Sequence, residues 1–172
     1  MRRLTERQQQ LLQLLADGEF HSGEQIGQQL AISRAAISLQ VKSLKALGLD
    51  IFSVTGKGYR LARPLELLDA AYLEQLPGAP IHCIAVIDST NQYMMSRLAD
   101  WQKGECLLAE CQTSGRGRRG RQWVSPFAGQ MIMSLYWRLE SGFAAAMGLS
   151  LVVGVTLAET LQALNYPDVG LK

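Results

Sequence analysis

The sequence predicts an α+β protein built in two parts, and three observations carry that prediction. Residues 1–63 hold three apolar patterns of helical period followed by a pair of short strand patterns. Beyond a proline-punctuated stretch, strands and helices alternate irregularly, as in a mixed sheet with helices packed on it. Charge divides at the same place: residues 1–63 carry nine Lys/Arg and five Asp/Glu, whereas residues 64–172 carry eight and ten.

The first helix is marked by Leu4, Leu11, Leu12 and Leu15, with Gly18 as its stop. The second, "SGEQIGQQL", opens on Ser22 with Gln25 three residues on, the spacing of a capping box, and its apolar Ile26 and Leu30 lie one turn apart. After the break "AIS", ending on a second cap residue, Ser33, a third helix buries Ala36, Ile37, Val41, Leu44 and Leu47 on one stripe and ends at Gly48. "LDIFSVTGKGYRLA" then reads as two strands, with Ile51, Val54, Tyr59 and Leu61 as strand formers around a Gly-Lys-Gly tip. Helix, tight turn, helix and hairpin together form a winged helix-turn-helix. The residues expected against DNA are Ser22, Ser33, Arg34, Ser38 and Gln40, with Lys42, Lys45, Lys57 and Arg60 serving the backbone. The alternative use of such a domain is packing or protein contact alone. The third helix is not strongly basic, so a monomer should bind DNA weakly and two copies on a two-fold site are expected.

"RPLELLDAAYLEQLPGAP" links this module to the rest, with "LELLDAAYLEQL" as a short helix and Pro64, Pro77, Gly78 and Pro80 as breakers. The expected division is 1–63 for the winged helix, 64–80 for the linker and 81–172 for the second domain. That domain opens with a strand over 81–87 and a helix holding Tyr93, Met94 and Leu98. A second strand follows over 106–112, a third over 130–139 and a long helix from about Ala144 to Leu164, with "VGLK" opening another strand. The apolar run at 143–158 falls short of the roughly 20 residues of a membrane span and reads as a buried core helix. Asp88, Ser89 and Thr90 sit at a strand-to-helix junction, where they can grip a ligand or simply cap the helix.

"SGRGRRGRQW" at 114–123 packs four arginines and three glycines into ten residues and contains G-x-G-x-x-G. A dinucleotide fingerprint needs a helix straight after the glycines, and "QWVSPF" cannot start one cleanly, so that reading fails. No Gly-Lys-Ser/Thr follows, so it is not a P-loop. Two uses stay open: a basic surface loop for polyanions, or a glycine-rich lid that orders over an anionic ligand with guanidinium groups on carboxylate or phosphate. Cys83, Cys106 and Cys111 with His21 and His82 form no zinc framework, and no metal ligands are assigned. The thiols suit a reducing compartment and the N-terminus lacks a signal region, so the expected location is cytoplasmic with no membrane partner.

Taken together, "ISRAAIS", "GKGY", "DSTNQY", "GRGRRGRQWVSPF", "GLSLVVG" and "VGLK" resemble the bacterial biotin–protein ligases that double as biotin operon repressors. The resemblance implies a class II synthetase-like, biotin–lipoate ligase-like catalytic domain, truncated at its end. It implies that biotin and ATP, with Mg2+, give biotinyl-5′-AMP, and that the biotinyl group passes to a lysine of the biotin carboxyl carrier protein of acetyl-CoA carboxylase. It also implies a homodimer, formed when loaded with biotinyl-AMP, that binds operator DNA. On this resemblance Ser89, Thr90, Asn91 and Gln112 contact biotin. Gly115, Arg116, Gly117, Arg118, Arg119 and Gly120 form the ligand-ordered loop. Arg118 holds the carboxylate and phosphate of the intermediate, Trp123 helps cover the adenylate, and Lys172 faces the phosphates. Relatives of this kind continue beyond the equivalent of Lys172, so the expectation is a fragment with little ligase activity alone. Leu39 departs from the polar residue expected on the recognition helix. The competing class is a non-enzymatic winged-helix regulator that senses a small anionic ligand; a lipoate ligase is a third candidate, disfavoured by the winged helix and the arginine loop.

Overall fold

The computed structural model describes residues 4–117, 119, 121, 123–140, 142 and 146–171. They fall into two compact units, Met1–Tyr136 and Trp137–Lys172.

In the first unit, α1 (Glu6–Leu15) and α2 (Gly23–Leu30) both start with the reciprocal pair that a capping box makes. Ser22 Oγ accepts the Gln25 N–H at 3.1 Å while Gln25 Oε1 accepts the Ser22 N–H at 3.0 Å. Thr5 and Gln8 do the same for α1, so Leu4 precedes that helix and does not belong to it. Ser33 caps α3 (Arg34–Lys45) by accepting the Ala36 N–H at 3.3 Å. The turn between α2 and α3 is made by Ala31 in the left-handed region, φ 50°. β1 (Ile51–Val54) and β2 (Gly58–Leu61) pair antiparallel, Ile51 opposite Leu61 and Val54 opposite Gly58. His21 adds a rung by exchanging both backbone hydrogen bonds with Tyr59, each at 2.9 Å. Leu11, Leu15, Ile26, Ile37, Leu44 and Ile51 are fully buried between these elements. Each such side chain stabilises the fold by roughly 1.5–3 kcal/mol relative to exposure. Of the predicted stripe on α3, Ala36 and Leu47 are only half-buried.

The linker does not run free. Leu65 donates its N–H to Ala16 O at 2.9 Å, and Leu68 donates its N–H to the Glu110 carboxylate. Holding the chain extended at these points delays the predicted helix, so α4 spans only Ala70–Glu74, capped by Asp69. β3 (Ile81–Ile87) and β4 (Cys106–Gln112) run parallel, and β5 (Ile132–Leu135) joins β4 antiparallel in the order β3-β4-β5. The third strand is thus shorter than the expected 130–139. α5 (Thr90–Met95) connects β3 towards β4, followed by a 3-10 turn at Leu98–Asp100 that holds the Leu98 expected on the helix. Leu107 and Ala109 pack with Ile87, Met94 and Ile132 in one cluster. Val86, Cys111 and Phe127 join the same cluster as the winged-helix core.

The second unit holds α6 (Leu149–Ala163). Residues 143–145, where the helix was expected to begin, lie outside the described residues. The buried core helix is a misreading: none of the residues of α6 is buried, with Leu151 63% and Val152 61% exposed. Leu, Val and Ala occur on all its sides, which signals a demand for burial without supplying a partner. The strand expected at "VGLK" is also absent: residues 169–171 have no regular structure, because the Val169 carbonyl accepts from Gln162 Nε2 at 3.3 Å and Leu171 packs on Gly154. Among the described residues no helix is long and apolar enough to cross a membrane.

Candidate ligand cavity and nucleic-acid face

Parallel pairing places Ile87 opposite Gln112, so the segments leaving β3 and β4 emerge at one edge of the sheet. They are tied together there. Thr113 N–H donates to Ile87 O and Ser114 N–H to Asp88 O, both at 2.9 Å, and the Thr113 hydroxyl donates to Asp88 Oδ1 at 3.1 Å. Ser89 caps α5, its Oγ accepting the Gln92 N–H at 3.3 Å. Thr90 is 3% exposed; its N–H and hydroxyl both donate to Gln112 Oε1, at 2.8 and 3.2 Å, and it accepts the Ser134 hydroxyl at 2.8 Å.

These groups line a cavity of about 650 Å³ that brings together Ser89, Thr90, Asn91, Gln112, Arg116 and Trp123. Its far wall is the stretch from Gln130 to Ser134, with Gln92 and Met95 from α5. The glycine loop folds back on itself at its base: Trp123 N–H donates to Gly115 O at 3.1 Å and Gly117 N–H to Arg121 O at 2.7 Å. A Cβ on Gly115 would lie 3.2 Å from both Gln112 Nε2 and Trp123 Cβ, so glycine lets the loop approach the cavity floor. Trp123 Nε1 donates to Gln130 Oε1 at 3.4 Å. Arg119 is exposed with φ 60° and does not line the cavity, nor does Gly117. Arg118, Gly120 and Lys172 lie outside the described residues. Sequence reasoning missed Ser134, Gln130 and the methionines at 95, 131 and 133. A lone hydroxyl in "QMIMSLYW" was the only trace of Ser134.

Burial pushes the Cys83, Cys106 and Cys111 thiols up from the ordinary thiol value. Burial likewise raises Glu110, against the lowering effect of the Leu68 N–H.

On the winged helix, burial of Ile37, Val41 and Leu44 turns Arg34, Ser38, Lys42 and Lys45 to solvent, while Gln40 is half-buried. Ser22 and Ser33 spend their hydroxyls on their own helices. Ser22 and Arg34 border a cavity of about 400 Å³ whose opposite wall is the hairpin, including Ser53, Gly56 and Tyr59. Leu39 is 63% exposed on the outward side. The wing carries a cation–π cluster that the sequence reading missed. The Arg60 guanidinium lies 4.9 Å from the Phe20 ring centroid and 5.5 Å from that of Phe52, and Lys57 Nζ lies 5.7 Å from Phe20.

A winged helix-turn-helix packed on a mixed sheet, with a polar cavity at the C-terminal ends of its parallel strands, defines a helix-turn-helix module fused to a small-molecule domain. A model described as an HTH domain matches residues 7–60, and that of the Biotin/lipoate A/B protein ligase family matches residues 83–171. The chain belongs to the Biotin/lipoate A/B protein ligase family. It is 51% identical over 163 residues to the bifunctional ligase/repressor BirA of Salmonella typhimurium, covering 94% of this chain and 51% of that protein. With BirA of Escherichia coli it shares 50% over 163 residues, at the same coverage. With BirA of Bacillus subtilis it shares 29% over 154 residues, 86% of this chain and 47% of the relative. The chain thus spans about half the length of the curated relatives it matches.

Proposed function

We propose that the chain carries the operator-reading and biotin-activating parts of a bifunctional ligase and repressor. Biotin and ATP, with Mg2+ accompanying the nucleotide, react to biotinyl-5′-AMP. The biotinyl group then passes to a lysine of the biotin carboxyl carrier protein of acetyl-CoA carboxylase. Without unmodified carrier, the loaded protein dimerises on operator DNA, in the cytoplasm. Residues 1–63 read DNA, 64–80 link, and 81–172 bind the ligand.

The observation that supports this most is the convergence of Thr90, Gln112, Arg116 and Trp123 on one cavity beneath the folded-back glycine loop. Two donors from Thr90 occupy the Gln112 oxygen, and among the described residues its Nε2 has no acceptor, so the amide can donate to a ligand. Arg116 supplies positive charge for an anionic intermediate, and an acyl phosphate awaiting an outside lysine needs charge, exclusion of water and no enzyme nucleophile. Arg118 and Lys172 take their places in this reading from family resemblance. A purely sensory regulator is the second reading; the adenylate separates the two. Calorimetry on the chain with biotin and then biotinyl-5′-AMP is expected to give much tighter binding of the adenylate, with most of the difference lost in Arg118→Gly. Equal affinity for both ligands, or none for either, refutes the proposal.

A further inference from the structure

We infer that Ser134 is a positioning residue of the ligand cavity: acting through Thr90, it locks the Gln112 amide with its NH2 group facing the ligand. This rests on the reading that the cavity binds biotin. Gln112 Oε1 meets two atoms of Thr90, the backbone nitrogen at 2.8 Å and the hydroxyl at 3.2 Å. The backbone N–H can only donate, so the Gln112 atom it meets is the oxygen and not the amide nitrogen. The Thr90 hydroxyl has one proton. If it goes to Gln112, the Thr90 oxygen is left open as an acceptor, and Ser134 fills it at 2.8 Å. One direction of donation, Ser134 to Thr90 to Gln112, satisfies every atom in the chain.

The consequence is polarity. With both lone pairs of Gln112 Oε1 engaged, the amide presents only donors to the cavity, and its subsite accepts a ligand carbonyl or ring acceptor. Without Ser134, the Thr90 hydroxyl loses the hydrogen bond that holds its oxygen in place, so it is free to turn its proton away from Gln112, and the amide then keeps only the Thr90 N–H as a restraint against a flip. A flipped amide would present its oxygen to the same ligand oxygen. Ser134 sits on β5, 44 residues beyond Thr90 in sequence and two strands away from β3. Its hydroxyl therefore also fixes the distance between α5 and the far wall of the cavity.

The test uses the full chain labelled with nitrogen-15. The Gln112 side-chain NH2 signals are identified by their loss in Gln112→Glu. They are expected to be rigid in the wild type by heteronuclear NOE, mobile in Ser134→Ala and rigid again in Ser134→Thr. Biotin affinity, measured by calorimetry, is expected to fall about tenfold in Ser134→Ala. In a Gln112→Ala background the same substitution should have no further effect, which a merely structural role would not produce. An equally rigid Gln112 amide in Ser134→Ala overturns the inference, as does unchanged affinity with a mobilised amide, or additive effects of the two substitutions. If the wild type binds no biotin, the functional reading fails, and the amide signals alone still decide whether Ser134 positions Gln112.

Discussion

Two glycines of the wing permit an internally controlled prediction. Gly56 and Gly58 both have positive φ, 80° and 101°, but their surroundings differ. A Cβ on Gly56 meets nothing within 4 Å, whereas one on Gly58 would lie 2.0 Å from His21 O and 2.7 Å from Ser22 Cα. Those are backbone atoms and cannot rotate aside. Gly56→Ala should therefore cost only the conformational term, about 1 kcal/mol. Gly58→Ala must in addition part His21 from Tyr59 and break their two 2.9 Å backbone hydrogen bonds. At about 1 kcal/mol per bond the total comes to about 3 kcal/mol. Urea denaturation followed by circular dichroism measures both costs, and amide exchange at His21 and Tyr59 locates the damage. Exchange at these two amides should accelerate in Gly58→Ala and stay unchanged in Gly56→Ala. If the two variants lose the same stability, the close approach of the wing to His21 is not what the glycine serves, and the reasoning fails.

Two further outcomes follow from the backbone and from burial. Ala31→Gly should stabilise the chain by up to about 1 kcal/mol in the same denaturation assay, because the residue ends α2 in the left-handed region where a Cβ is strained; a loss of stability contradicts this. Burial raises the Glu110 carboxyl above its ordinary 4.5, so the folded state holds that proton more tightly than the unfolded chain. Its contribution to stability is fully present below pH 4.5 and is lost as pH rises through the raised value. Cys83 is the titratable neighbour, itself raised by burial, then by Glu74 and Glu110. Gln at this position keeps an acceptor for the Leu68 N–H without the charge. The stability of Glu110→Gln relative to wild type should therefore grow from pH 4.5 towards neutrality, and parallel stability–pH curves would count against a buried carboxylate.

What was legible in the sequence was local. The Ser22–Gln25 box, the Ser33 cap and the bounds of β3 and β4 depend on residues close in the chain, and the structure places them as read. The length of α4 was not legible, because its start is set by Leu68 reaching Glu110, 42 residues away. Ser134 was invisible for the same reason: a serine within a strand pattern says nothing about the threonine it meets at the start of α5. The error over α6 is different in kind. Its composition was read correctly as apolar, but hydrophobicity specifies the need for a neighbour and not which neighbour fills it.

At the end of β4 the cavity and the winged helix share one element. Three consecutive residues there serve three different neighbours. Glu110 accepts the linker N–H of Leu68, Cys111 lies in the cluster that contains the winged-helix core, and Gln112 faces the cavity. Strand geometry couples them, since successive residues alternate faces on one rigid backbone. A ligand that draws Gln112 inward acts on the same few ångströms of chain that anchor the linker and pack against residues 1–63. The Glu110 backbone carbonyl also accepts the Ala128 N–H at 3.0 Å, tying in the segment that follows the glycine loop. The seating of the linker and of the segment that follows the glycine loop thus meet at a single residue. This makes Glu110→Gln informative twice: it retains the linker contact while removing the charge, so it separates the proton from the mechanical link when ligand-dependent DNA binding is measured.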